Sequence, residues 1–191
     1  MKRSSQLFTF FAVLIAISAL YRVIPFESRP VWLGAPQLAL ALFAGSVIKN
    51  RKWAFAVPLI SLLVSDILMQ ILHSAGITPG YPGFYEGQIF NYVLITLLTV
   101  VGFFVNSRKV ISIASGMFAA PTLFFLVSNF GVWAANGGLQ RAKTFTGLMQ
   151  CYADGIPFYG YSLLTMVVFG ALLFGGYALF AGSSVARKAK A

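Results

Sequence analysis

The sequence predicts an all-α integral membrane protein, a bundle of six membrane-spanning helices, on three observations. Hydrophobic residues make up 59% of the chain and charged residues only 9%, whereas a soluble domain carries roughly 25% charged residues to hold its surface in water. Six separate apolar segments approach the about 20 residues that a helix needs to cross a bilayer. The basic residues cluster in the connections between these segments. With a mean hydropathy of +0.83, the chain reads as a single membrane domain over residues 1–191 whose solvent is lipid.

The segments are Leu7–Ile24, Val31–Ile48, Trp53–Leu72, Gln88–Val105, Val110–Ser128 and Pro157–Ala181. The first follows Lys2 and Arg3, an arrangement that resembles a secretory signal peptide with Ala16-Ile17-Ser18 as its cleavage site. Its apolar run is as long as the others, so it reads as a retained span. The second and third contain Pro36 and Pro58, which membrane helices tolerate when neighbours satisfy the backbone groups they free. The connections Lys49–Lys52 and Asn106–Lys109 are tight and force antiparallel neighbours. His73–Gly87 carries the turn cluster Thr-Pro-Gly-Tyr-Pro-Gly. Asn129–Ile156 is the longest connection and too apolar for a solvated loop, so Phe145–Tyr152 is expected as a short helix at the membrane surface. Asp154-Gly155 reads as a turn, with Pro157 at the first position of the sixth helix.

Charge sets the orientation. One side receives Lys2, Arg3, Lys49, Arg51, Lys52, Arg108, Lys109, Arg187, Lys188 and Lys190, with no acid among them. The other receives Arg22, Arg29, Arg141 and Lys143 together with Glu27, Glu86 and Asp154. Basic residues favour the cytoplasmic side, so both termini are expected in the cytoplasm of a bacterial inner membrane, which an even number of spans also requires. The net charge of +10 then reads as topology signals facing anionic lipid headgroups, not as a nucleic-acid surface. A single cysteine, Cys151, and a single histidine, His73, exclude an intrachain disulfide and a His- or Cys-rich metal site. No metal or cofactor is expected.

Polar groups gather towards the outer ends of the spans. Asp66 is the only acid within a span, where an ionised carboxylate costs about 3 kcal/mol and generally has a partner or a role. Gln70 and His73 follow at i+4 and i+7, on the same helical face. Three readings compete: a polar wall of an outward-facing cavity, an Asp that hydrogen-bonds its neighbours and locks helix packing, or a proton carrier. Asn129, Trp133 and Asn136 form a second stripe with the same spacing, readable as a ligand grip or as an interfacial anchor. Asn91 opens the fourth span beside Glu86 and Gln88, and Cys151, Tyr152 and Asp154 precede the sixth. On the first span, Ala12 and Ala16 are four residues apart, a spacing of small residues that lets helix backbones approach closely.

The stretches Leu14–Pro25, Pro58–Leu68, Phe124–Trp133 and Thr144–Gly160, with the glycine-rich Phe169–Gly175, resemble a bacterial membrane family of unassigned function grouped with transport proteins. That family is in turn similar to the S components of energy-coupling factor (ECF) transporters, six-helix proteins that capture vitamins or metal ions. The resemblance implies an outward pocket around Asp66, Asn91, Asn129, Trp133, Tyr152 and Asp154. Gln70 joins that set through its place on the Asp66 face and not through the resemblance, which further implies docking of a transmembrane coupling subunit on Ala12 and Ala16, with two ATPases as further partners.

The function expected is therefore capture of a small solute, of vitamin or metal type, without catalysis. The chain has no phosphate-cradling glycine loop with Lys and Ser/Thr, so ATP hydrolysis falls to partners. A membrane scaffold is the second reading. A lipid-modifying enzyme is the third, with Asp66 and Asp154 as the one plausible carboxylate pair.

Overall fold

The computed structural model describes residues 12–21, 36–78 and 82–189. Both ends of the first expected span, residues 31–35 of the second, and Lys2, Arg3, Arg22, Glu27, Arg29 and Lys190 lie outside the described residues. The regular structure is all helical, with no strand among the described residues. Its six helices are α1 (Ala12–Tyr21), α2 (Gln37–Val47), α3 (Arg51–Ser74), α4 (Gln88–Phe103), α5 (Val110–Ala134) and α6 (Phe145–Ala189). By length and composition α3, α5 and α6 can each cross a membrane, while α1, α2 and α4 are shorter apolar helices. At about 1.5 Å per residue, α3 with 24 residues extends about 36 Å, against a hydrocarbon core of about 30 Å.

The two tight connections behave as the sequence predicts. Asn50 caps α3 by accepting from the Lys52 backbone N–H at 3.0 Å, and Asn106 organises the turn before α5 by accepting from the Arg108 N–H at 3.0 Å. Contacts fix the directions. Phe103 of α4 meets Arg51 and Phe55 at the start of α3, while Gln88 and Tyr92 meet Asp66 near its end, so α3 and α4 are antiparallel. Gly131 faces Phe90 and Gly116 faces Val105, which sets α5 antiparallel to α4. Asn129 meets Gly155 and Met117 meets Gly170, which sets α6 antiparallel to α5.

The short α2 forms the centre. It is apolar on every side, and such a helix belongs inside a protein or in lipid. Eight of its residues, among them Leu40, Leu42 and Phe43, are buried, and it touches α3, α4, α5 and α6. In lipid the hydrophobic effect gives little drive to such contacts, so close packing must hold them. Gly45 and Gly102 supply it where α2 crosses α4. A Cβ on Gly45 would lie 2.9 Å from Gly102 Cα and overlap the Thr99 carbonyl oxygen. Phe43 adds edge-to-face contacts with Phe174 at 5.2 Å and Tyr177 at 5.8 Å, joining α2 to α6. Large apolar side chains such as Ile89, Ile111 and Leu179 point outward and are more than two-thirds exposed (82%, 76% and 79%), as lipid-facing residues are.

Two elements depart from expectation. Helix α5 continues through Gly131 to Ala134, six residues beyond Ser128. Helix α6 starts at Phe145 and runs unbroken through Pro157, so Phe145–Tyr152 is its first two turns and not a separate surface helix. The cause is local at one end and tertiary in the middle. Thr144 Oγ1 accepts from the Gly147 N–H at 3.1 Å, a helix N-cap that starts α6 there. The Asp154-Gly155 pair, read as a turn, lies inside the helix because Gly155 packs directly against the Asn129 side chain of α5. Turn propensity yields to that contact.

Candidate functional site

The expected site residues fall into two constellations. The first surrounds Asp66, which is completely buried on α3 beside the buried Ser65 and Ser61. Its Oδ2 accepts from Gln88 Nε2 at 2.5 Å and from the Tyr92 hydroxyl at 2.7 Å. Asn91 Nδ2 extends the network by donating to Gln88 Oε1 at 2.9 Å and to the Tyr85 hydroxyl at 2.7 Å. Gln70 serves a different purpose. Its Oε1 accepts from the Phe84 N–H at 3.3 Å, pinning the α3–α4 connection onto α3, and its Nε2 donates to Ser74 at 3.4 Å. His73 Nδ1 lies 3.0 Å from the Thr78 carbonyl oxygen. The connection sits close because Gly83 rests on the α3 backbone, where a Cβ would overlap the Asp66 carbonyl oxygen. A shallow hollow lined by Ile67, Gln70, Ile71, Ser74 and Phe84 lies alongside. Asp66 does not line it. The geometry around Asp66 is that of a hydrogen-bonded tie between α3 and α4.

The second constellation lies between α5 and α6. A cleft of about 190 Å³ opens there. Helix α5 contributes Phe124, Phe125, Ser128 and Asn129, and α6 contributes Gly155, Phe158, Tyr159 and Ser162. The missing side chain at Gly155 brings α6 against Asn129. Phe125 and Tyr159 stack obliquely with centroids 4.9 Å apart, and Phe125 also meets Tyr152 at 5.7 Å. Asn129 Nδ2 donates to the Phe125 carbonyl at 2.8 Å, Tyr152 donates to the Leu126 carbonyl at 3.1 Å, and the buried Cys151 thiol lies 3.5 Å from the Asn129 carbonyl oxygen.

Beyond this cleft the α5–α6 connection is clamped. Arg141 grips Asp154 with two bonds, Nε to Oδ2 at 2.8 Å and a terminal nitrogen to Oδ1 at 3.0 Å, the fork geometry that makes such pairs strong. The neighbouring carboxylate raises the Arg141 pKa above its ordinary value. The Trp133 indole N–H donates to the Ala142 carbonyl at 2.9 Å, while Lys143 donates to the Trp133 carbonyl and lies 4.9 Å from the centre of its ring. The indole N–H is thus spent within the protein. Asn136, expected on the Asn129–Trp133 stripe, lies beyond the end of α5 with φ of 55°.

Ala12 and Ala16 are exposed on α1, while Ser18 and Ala19, half a turn to a turn further on, are buried. Among the described residues, no group of three or more His, Cys, Asp or Glu side chains is arranged to hold a metal ion. Sequence reasoning missed Tyr92, Arg141 and Lys143 as partners and Phe124, Phe125, Ser128 and Ser162 as cleft residues. Tyr92 was findable, since it follows Gln88 by four residues and shares its face. The α6 face Gly155–Tyr159–Ser162 has the same i, i+4, i+7 pattern, but it emerges only once the helix is known to start before Gly155.

The fold and these two constellations define an all-helical protein built on three helices of membrane-crossing length, with a buried polar tie and a small aromatic cleft. The chain belongs to the family of unknown function DUF6580, which it matches over residues 2–189. No curated protein and no solved structure matches it.

Proposed function

We propose that this protein is the membrane-embedded substrate-capture subunit of a small-solute uptake transporter, with the α5–α6 cleft as its capture site. The observation that carries the reading is the cleft itself. It combines aromatic walls with a few convergent polar atoms, the usual make-up of a small-molecule site, and its neighbouring connection is tied to α6 by the Arg141–Asp154 pair. In this reading α1 to α6 form a six-span bundle like an ECF S component, in a bacterial inner membrane with both termini cytoplasmic. The cleft then faces the outer half of the membrane. The exposed Ala12 and Ala16 meet a coupling subunit, and partner ATPases supply the energy.

Native mass spectrometry of gently solubilised protein from its own membranes tests both halves. A retained small solute together with a coupling subunit and ATPases is the expected result, and Ala12→Leu or Ala16→Leu removes the partners but keeps the solute. Recovery of a tight complex without ATPases and without solute turns the assignment to a scaffold.

A further inference from the structure

The hydrogen-bonding inventory of the cleft specifies the chemistry of its ligand. A hydroxyl has one proton to give and two lone pairs to accept with. The Ser128 proton goes to the Phe125 carbonyl at 3.3 Å and the Ser162 proton to the Phe158 carbonyl at 3.0 Å. Thr122, behind the cleft, gives its proton to the Phe118 carbonyl at 2.7 Å. It therefore accepts in its 2.7 Å contact with Tyr159, and the Tyr159 proton is spent as well. Asn129 commits one amide proton to the Phe125 carbonyl. What the side chains still offer is one N–H of Asn129 against the Asn129 Oδ1 and the free lone pairs of Ser128, Tyr159 and Ser162. The carboxylate of Asp154, next in sequence to the cleft residue Gly155, is paired with Arg141.

From this imbalance we infer that the cleft takes a hydrogen-bond donor: a small organic amine with an apolar or aromatic body, its nitrogen directed at Asn129 and Ser162. A carboxylate or phosphate would meet the lone pairs of Ser128, Tyr159 and Ser162, with one Asn129 N–H to receive it. The inference rests on the reading of the cleft as the capture site and adds the substrate class to it.

The test uses three probes of one shape on the full-length protein in zwitterionic nanodiscs: 2-phenylethylamine, 3-phenylpropanoate and ethylbenzene. Expected is saturable binding of the amine, at least about tenfold tighter than of the carboxylate. Asn129→Leu and Ser162→Ala should each weaken the amine about tenfold, the effect of losing one hydrogen bond, and leave ethylbenzene unchanged. Ser162→Ala removes only a hydroxyl, so it reports even if Asn129→Leu disturbs the helix contact. Ser128→Trp fills the cleft and should abolish binding of every probe. Equal binding of amine and carboxylate, lost in Ser128→Trp, overturns the donor rule and leaves the capture site standing. Binding that survives Ser128→Trp, or no binding of any probe, overturns both.

Discussion

Gly45→Ala is expected to destabilise this protein, although the same change in most helices does the reverse. Replacing glycine by alanine inside a helix ordinarily gains about 1 kcal/mol, because glycine has more backbone freedom to lose. At Gly45 the new methyl would overlap the Thr99 carbonyl oxygen and lie 2.9 Å from Gly102 Cα. Both obstacles are backbone, so neither can rotate aside, and α2 must move away from α4. Forcing atoms into a well-packed contact costs about 1–3 kcal/mol, and an obstacle made of backbone belongs at the upper end. The balance is a loss of about 2 kcal/mol. Gly176→Ala is the internal control, since nothing lies within 4 Å of its added Cβ, and it should be neutral or stabilising by up to about 1 kcal/mol. Reversible unfolding of both variants in mixed micelles measures the pair. Gly45→Ala at least as stable as the parent would refute the glycine crossing and, with it, the central position of α2.

Three further outcomes follow from named contacts. Asp66→Ala leaves Gln88 and Tyr92 without their shared acceptor and should cost about 3 kcal/mol of stability, with Tyr92→Phe costing about 1 kcal/mol; unfolding titrations that leave both variants at parental stability contradict the tie. Thr144→Ala removes the N-cap of α6 and should cost about 1 kcal/mol, with faster amide exchange confined to residues 145–148, where exchange-mass spectrometry reads it. Arg141→Ala frees Asp154 and should raise amide exchange across residues 135–144 while α3 and α4 keep their protection; uniform exchange across the chain would place the clamp's effect elsewhere.

The amino-acid sequence by itself determined the class of this protein. Too little charge to cover a soluble globule, apolar segments of near-spanning length and basic clusters between them are properties of composition and order, and they need no partner to be read. It also determined the tight turns, because Asn50 and Asn106 cap them with their own side chains. The tertiary structure decided where helices end in the second half of the chain. Asp154-Gly155 has the local preference of a turn, yet contact with Asn129 keeps it helical, and that contact spans residues that no short-range pattern relates. The structure also separated residues that periodicity had grouped. Asp66 and Gln70 share a helical face by spacing, but Asp66 is sealed between α3 and α4 while Gln70 holds a loop. Spacing along one helix reports direction, and only packing of the neighbouring helices reports what stands in that direction.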